Sequence, residues 1–468
     1  MNIIHFQLCF SILTLTAHYL PAVSPVSPLR QQYETVPVNT KFEKKPITVL
    51  LYGSARNDLM PFIDRNLMQL MQIGSNSNIT FLVHLDIFGP GRKQLTQRFI
   101  VYKNKLVQVG ENMRMDSGDP ATFIDAGTWA FKNFPADMTI IDLWNHGTGD
   151  LEPSRGRAIN SSELYTFNPT TKLIELNRSI GFLDYLDENS KNPENELRGI
   201  CFDESTGHYL SNRQVGHALE TISKNCLGGK PIDILCCDAC LMQGIGFAYS
   251  IKSYRKPALA NILIGSQEVV LATGYPYIQM FAKMAQKPMS GEQFATHTVQ
   301  AFADAYSQIT HDYTQSAIKL ELLDSLYESI DAISLTLMTA LRKQKNSSVK
   351  TFITKSGARN ACTHFEEPSY KDMHHLFSNM LENISLVTLH DPNETAQIKH
   401  ELRQELTKAC GCIKQATIAN AAGRNLKNAT GISIYLPEPN KAIHPSFPHT
   451  DFAKNIKWLD MLKVYINS

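Results

Sequence analysis

An α/β fold, with a mostly parallel sheet flanked by helices, is predicted by two features of the sequence. Ile47 to Gly53, Met138 to His146 and Pro231 to Asp238 are short apolar runs of the kind that form strands buried on both faces. The segments between them carry apolar residues at helical spacing, as βαβ units require. From Ser290 onward the pattern turns largely helical, which predicts a helical C-terminal extension.

A chain of 468 residues can bury a large core or several smaller ones. Its 43% hydrophobic and 19% charged content are those of an ordinary globular protein. A net charge of +1, without a basic stripe, excludes a nucleic-acid binder. Asn2 to Leu20 is mostly apolar and is followed by Pro21-Ala22-Val23-Ser24-Pro25. That resembles a signal peptide over residues 1–23 and a linker over 24–45, although no Lys or Arg precedes the apolar run. The expectation is an exported protein, periplasmic or secreted, with an uncleaved anchor or a cytosolic N-terminus as the alternatives. No other stretch reaches the roughly 18 apolar residues of a membrane span.

Taken in order, Ile47 to Gly53 is a first strand, Asp58 to Ile73 a helix, and Asn78 to Asp86 a second strand. Arg98 to Val109 alternates about Asn104-Lys105 as a hairpin, and Thr122 to Phe134 is a helix. Asp137 to His146 is the third strand, ending in His146-Gly147. The polar stretch 150–198 reads as an insertion, since a loop this long is usually functional or disordered. Ile200 to Asp203 is a short extended piece, and Asn212 to Lys224 a helix. The central strand follows at Ile232, then a helix over Leu241 to Tyr254 and a fifth strand over Ala258 to Glu268. Residues 46–289 form the predicted core. Residues 290–468 carry helices at Glu292 to Gln308, Lys319 to Arg342, Tyr370 to Ile384 and Ala396 to Ala409, with a late strand at Gly431 to Leu436 and a terminal helix.

The chemistry collects at Asp238-Ala239-Cys240. Carboxyl ends of parallel strands are where sites form in open α/β sheets. A thiol titrates near pH 8.5 and attacks only as thiolate. A helix beginning at Cys240 would favour its charge, and His146 on an adjacent strand would take its proton. Gly147 would offer an N–H to a developing oxyanion. Asp238 shares a face with Cys240 and would disfavour the thiolate, so its sensible uses are to receive a substrate Lys or Arg, or to cap the next helix. Glu268 can add a second carboxylate. Reserving Cys240 as a free thiol and Cys9 as lost with a signal peptide leaves seven cysteines, an odd number. Cys362 paired with Cys410 or Cys412 is one option, and reduced thiols throughout the other. Cys237-Asp238-Ala239-Cys240 also reads as a C-x-x-C. It lacks a thioredoxin-like setting, and no second ligand pair suits zinc.

At these residues the sequence resembles the clostripain family, cysteine endopeptidases on the caspase–hemoglobinase-like fold. Asp142-Leu143-Trp144-Asn145-His146-Gly147 is similar to the family's histidine strand, and Asp238-Ala239-Cys240-Leu241-Met242 to its cysteine motif. Ser266-Gln267-Glu268 with Gly274-Tyr275-Pro276-Tyr277 resembles the loop after the next strand. Tyr313 to Ile318 and Gly431 to Pro437 have counterparts as well. The resemblance implies a six-stranded sheet in the order 2-1-3-4-5-6 and a Cys/His dyad without an obligatory third member. In it His146 is the base, Cys240 the nucleophile and Gly147 an oxyanion donor. Asp238 is the acid selecting Arg or Lys at P1, and Glu268 a second such acid. The implied reaction is hydrolysis through a thioester acyl-enzyme with no cofactor. Some members need calcium, for which no D-x-D-x-D-G loop is present here.

One departure stands out. The stretch from His146 to Cys240 is about twice the family's expected length. The excess, 150–198, holds Arg155, Arg157, Lys172, Arg178, Lys191 and Arg198, so it reads either as a segment the enzyme itself cuts for activation or as a solvated insertion. The competing functional class is a catalytically silent protein on the same fold, kept for binding partners.

Overall fold

The structure, a computed structural model, describes residues 29, 33–151, 165–177, 199–438 and 441–468. The expected signal peptide and most of the 150–198 segment lie outside the described residues.

One ten-stranded sheet organises the described chain. Its centre is β2 (Lys45–Ser54), β3 (Ile79–Phe88), β6 (Ala136–Trp144), β11 (Ile232–Asp238), β12 (Ala260–Gly265) and β13 (Thr314–Lys319), in the spatial order β3-β2-β6-β11-β12-β13. This is the 2-1-3-4-5-6 arrangement, parallel except for β13, which runs antiparallel to β12. The apolar runs behave as patterned: Ile140, Ile141, Ile234, Leu235 and Leu263 are fully buried.

Both edges extend beyond six strands. The predicted hairpin is β4 (Gln94–Tyr102) and β5 (Lys105–Val109), antiparallel and continuing the sheet from β3. β1 (Glu34–Val36), inside the expected linker, pairs with β5. Phe42 then stacks on Phe134 at 4.3 Å, which ties that linker to the body. At the other edge β15 (Thr417–Ala422) pairs with β13, so the sheet runs on past residue 289.

Helices cover the sheet in two packed groups. α1 (Met60–Ile73) packs on α5 (Tyr277–Gln286), which packs on α6 (Gly291–Tyr306). α2 (Pro120–Asn133) packs on α3 (Asn212–Cys226), which packs on α4 (Ile245–Ile251). Starts are marked locally. Asp119 caps α2 ahead of Pro120, and Ser211 with Gln214 closes a capping box on α3. The C-terminal helices α7 (Asp324–Lys343), α8 (Ser348–Gly357), α9 (Met373–Glu382), α10 (Pro392–Ala416), α11 (Asp451–Asn455) and α12 (Trp458–Asn467) form the expected extension. Short β14 (Tyr370–Asp372) opens what the sequence read as pure helix, and it pairs with β16 (Ser433–Tyr435), the late strand. That ribbon meets the core through the Gly244–Ser433 bridge and a hydrogen bond from Gln267 to Asp372 at 3.1 Å, and it is not part of the main sheet.

Within the insertion, β7 (Tyr165–Asn168) and β8 (Leu173–Leu176) make a hairpin. β9 (Gly199–Asp203) and β10 (His208–Ser211) make another. Among the described residues no helix is long and apolar enough to cross a membrane.

Candidate active site

β6 and β11 run side by side in parallel, with Leu143 opposite Cys237 and Trp144 opposite Asp238. His146 and Cys240 thus each lie two residues past the same paired position, on one rim of the sheet. The Asn145 N–H extends the ladder to the Asp238 carbonyl at 3.3 Å. Asn145 also fixes its own neighbours: its amide donates to the Ser54 carbonyl, and its Oδ1 accepts the Phe202 N–H at 2.7 Å. Gly147 brings the loops after β6 and β11 into contact. A Cβ there would stand 2.5 Å from the Cys240 carbonyl oxygen and 2.8 Å from the Met242 side chain, so no other residue fits unshifted.

Cys240 does not begin a helix, contrary to expectation. Leu241 has a left-handed φ of 62°. The N–H groups of Leu241 and Gln243 donate to the carbonyls of Glu268 and Ser266, at 3.3 and 3.0 Å. Hydrogen bonds that would start a helix are made instead to the loop after β12, and α4 starts only at Ile245. No helix dipole therefore supports the thiolate.

The thiol is covered. Its Sγ accepts the Val270 N–H at 3.3 Å, and the residue is 5% exposed. Burial pushes the Cys240 pKa up to about 12. The Val270 N–H works against that rise, while the charges of Glu268, Asp238 and Asp58 add to it. His146 Nε2 is hydrogen-bonded to Asp58 Oδ1 at 2.7 Å. In the sequence Asp58 reads only as the start of a helix. The available signal was position: it follows β2, the strand next to β6, and so reaches the same rim.

Asp238 is not a helix cap. Its Oδ2 accepts the Tyr275 N–H at 2.9 Å and lies 3.0 Å from the Tyr277 hydroxyl, which is also 2.7 Å from Asp142 Oδ2. One hydroxyl proton cannot serve two carboxylates, so the trio needs a second proton. Burial first, and then the Asp142 charge, raises the Asp238 pKa well above the carboxylate range. Burial likewise raises that of Asp142. Gly274, at φ 66°, sits directly over the Asp238 carboxyl: a Cβ there would be 2.6 Å from Oδ2. In this conformation Asp238 faces Gly274 and two tyrosines rather than an open cleft. Glu268 is fully buried, and its Oε1 accepts the N–H groups of Val269 and Glu366 at 2.8 and 3.0 Å.

The loop leaving His146 is anchored by Tyr370. Its hydroxyl accepts the N–H groups of Asp150 and Leu151 (2.7 and 2.6 Å) and donates to the Thr148 carbonyl (2.7 Å). Eight cysteines are described, from Cys201 to Cys412, and each is a free thiol. Among the described residues no group of three or more His, Cys, Asp or Glu is arranged to hold a metal ion.

Comparison with solved structures shows the same fold. Two structures of a secreted C11 cysteine protease from Bacteroides thetaiotaomicron match. One, in complex with an irreversible peptide inhibitor, aligns with TM-score 0.52 and 16% identity over 89% of this chain and 99% of the other. The second aligns with TM-score 0.55 and 14% identity over 88% and 99%. An inactive zymogen C11 protease from Parabacteroides distasonis gives TM-score 0.54 and 16% identity over 89% and 98%. No curated protein sequence matches. The family model described as "Clostripain family" matches residues 183–465, more than half of the chain; it includes Cys240 and begins after His146. The link from that matched segment to His146 is the β6–β11 pairing. The chain belongs to the clostripain family of cysteine peptidases.

Proposed function

We propose that this cysteine peptidase is an endopeptidase that cuts after arginine or lysine, with Cys240 as nucleophile and His146 as its base. What supports the specificity is placement: Asp238 ends β11 two residues before Cys240, and the Glu268 carbonyl accepts the Leu241 N–H at 3.3 Å, so both acids flank the thiol. A cationic P1 side chain that reached these two buried acids would favour their ionised forms and pair with them. Attack by the thiolate on the scissile carbonyl gives a thioester acyl-enzyme, which water then hydrolyses. Gly147, whose backbone meets that of Cys240, is the proposed oxyanion donor. These steps use side-chain and backbone groups alone.

Activation by cleavage within 150–198 is part of the proposal. It is supported by the covered thiol and by the likeness to a protein described as an inactive zymogen. Export is proposed from the N-terminal pattern and from relatives described as secreted. The test is a panel of peptides differing only at P1, turned over by the wild type and by Asp238→Asn. The expected result is Arg or Lys preference in the wild type, reduced at least tenfold in the variant. Preference for Asp or Leu at P1 would refute the assignment of Asp238.

A further inference from the structure

His146 donates or accepts through two nitrogens, and which one carries the proton is set by the partner of the other. Here Nε2 meets Asp58 Oδ1 at 2.7 Å. An ionised carboxylate accepts and does not donate, so this bond requires the proton on Nε2 and assigns the proton-accepting lone pair to Nδ1.

The loop bearing Asp58 is held by its two preceding residues. Arg56 is fully buried, pairs with Asp86 at 3.2 Å and Asp203 at 2.9 Å, and donates to the Met115 carbonyl. Asn57 donates to the carbonyls of Ser54 and Phe202, at 3.1 and 2.9 Å, and accepts the Leu59 N–H at 3.0 Å. Phe202 is also the residue that Asn145 grips beside His146. One set of backbone groups therefore places both members of the His146–Asp58 pair. Asp58 remains partly exposed, whereas the imidazole is buried.

We propose that Asp58 is the positioning residue of the catalytic group: it holds His146 in the tautomer with the proton on Nε2 and balances the imidazolium that forms. In the step it supports, the Cys240 S–H bond breaks and the proton passes to Nδ1. This leaves a thiolate and an imidazolium whose Nε2–H points at the Asp58 carboxylate. The proposal rests on the assignment of Cys240 and His146 above and replaces a dyad with a three-residue arrangement.

The experiment measures kcat and KM on a P1-Arg peptide for Asp58→Asn, Asp58→Glu, Glu204→Gln and Cys240→Ala, with melting temperature alongside. Glu204 is included because its carboxyl also feels Asp58 and His146. Asn can turn its amide N–H toward Nε2 and so stabilise the wrong tautomer. Asp58→Asn is expected to lower kcat about 10²- to 10⁴-fold with KM within about threefold and an unchanged melting temperature. Asp58→Glu, which restores the carboxylate, is expected to recover part of that loss. Near-wild-type kcat in Asp58→Asn, or the kcat loss appearing instead in Glu204→Gln, overturns the proposal. Asp58→Asn and Asp58→Glu failing alike with a lowered melting temperature also overturns it, because that is a structural role. Activity persisting in Cys240→Ala would instead sink the underlying peptidase assignment.

Discussion

Trp144 and Asp238 are register partners on adjacent parallel strands, and each is followed two residues later by one half of the proposed Cys–His pair. The carboxyl-end rim of the sheet thereby brings together residues from two distant parts of the sequence, with Gly147 pressed against the Cys240 carbonyl between them. The testable consequences concern this rim and the groups that hold it.

Gly147→Ala is expected to cut kcat at least 10²-fold, the scale of losing one oxyanion donor. The added methyl would overlap the Cys240 carbonyl and the Met242 side chain, so the backbone must shift where the oxyanion would form. Steady-state kinetics on a P1-Arg peptide check this. A variant with wild-type kcat would show that the Gly147 backbone takes no part.

Tyr370→Phe removes the hydroxyl that serves Asp150, Leu151 and Thr148. Each buried backbone group left without a partner costs about 1–3 kcal/mol. A lowered denaturation midpoint is expected, together with reduced activity, since the loop leads directly from Gly147. Chemical denaturation reads the first and kinetics the second.

The Asp142–Asp238 pair makes a pH-dependent contribution to stability. Burial raises the Asp142 pKa from the usual carboxylate range to about 6, so the native state holds a proton that the unfolded chain releases. Stability from this source is complete below about pH 4 and is lost as pH rises through about 6. Asp142→Asn removes the titration of this one residue while leaving an acceptor for Tyr277. Melting curves from pH 4 to 7 should therefore show the variant gaining on the wild type as pH rises. Parallel curves would show that the pair does not titrate in that window.

Replacing Arg155, Arg157, Lys172, Arg178, Lys191 and Arg198 together by Gln is expected to leave a single intact chain with little activity. Mass spectrometry of the purified protein reads the cleavage state. Full activity from that intact chain would refute activation by processing.

Much of the fold was legible because its strands are buried on both faces. Ile140-Ile141 and Ile234-Leu235 are apolar regardless of their neighbours, and five of the six central strands follow from such runs; the sixth, β13, opens on Thr314-Gln315-Ser316 and carries no such run. The edges were harder. β1 and β15 are short and half-exposed, and their pattern is no stronger than that of a loop.

The site was legible in its members and not in their surroundings. Cys240 reads as a helix start because Leu241 to Tyr254 is helix-compatible. The decisive bonds run instead from Leu241 and Gln243 to Glu268 and Ser266, partners no local pattern reveals. From sequence, Asp238 reads as a receiver of a substrate cation or as a helix cap, yet Tyr275 and Tyr277 close over it. Asp58 is separated by 88 positions from the histidine it binds, and only the β2–β6 pairing brings them together.

The most direct measurement is labelling of the active protein with a peptidyl-Arg or peptidyl-Lys electrophile, followed by peptide mapping. The expected result is a single adduct on Cys240, absent from Cys240→Ala and strongly slowed in His146→Ala. An adduct on another cysteine, or equal labelling of the Cys240→Ala chain, would contradict it.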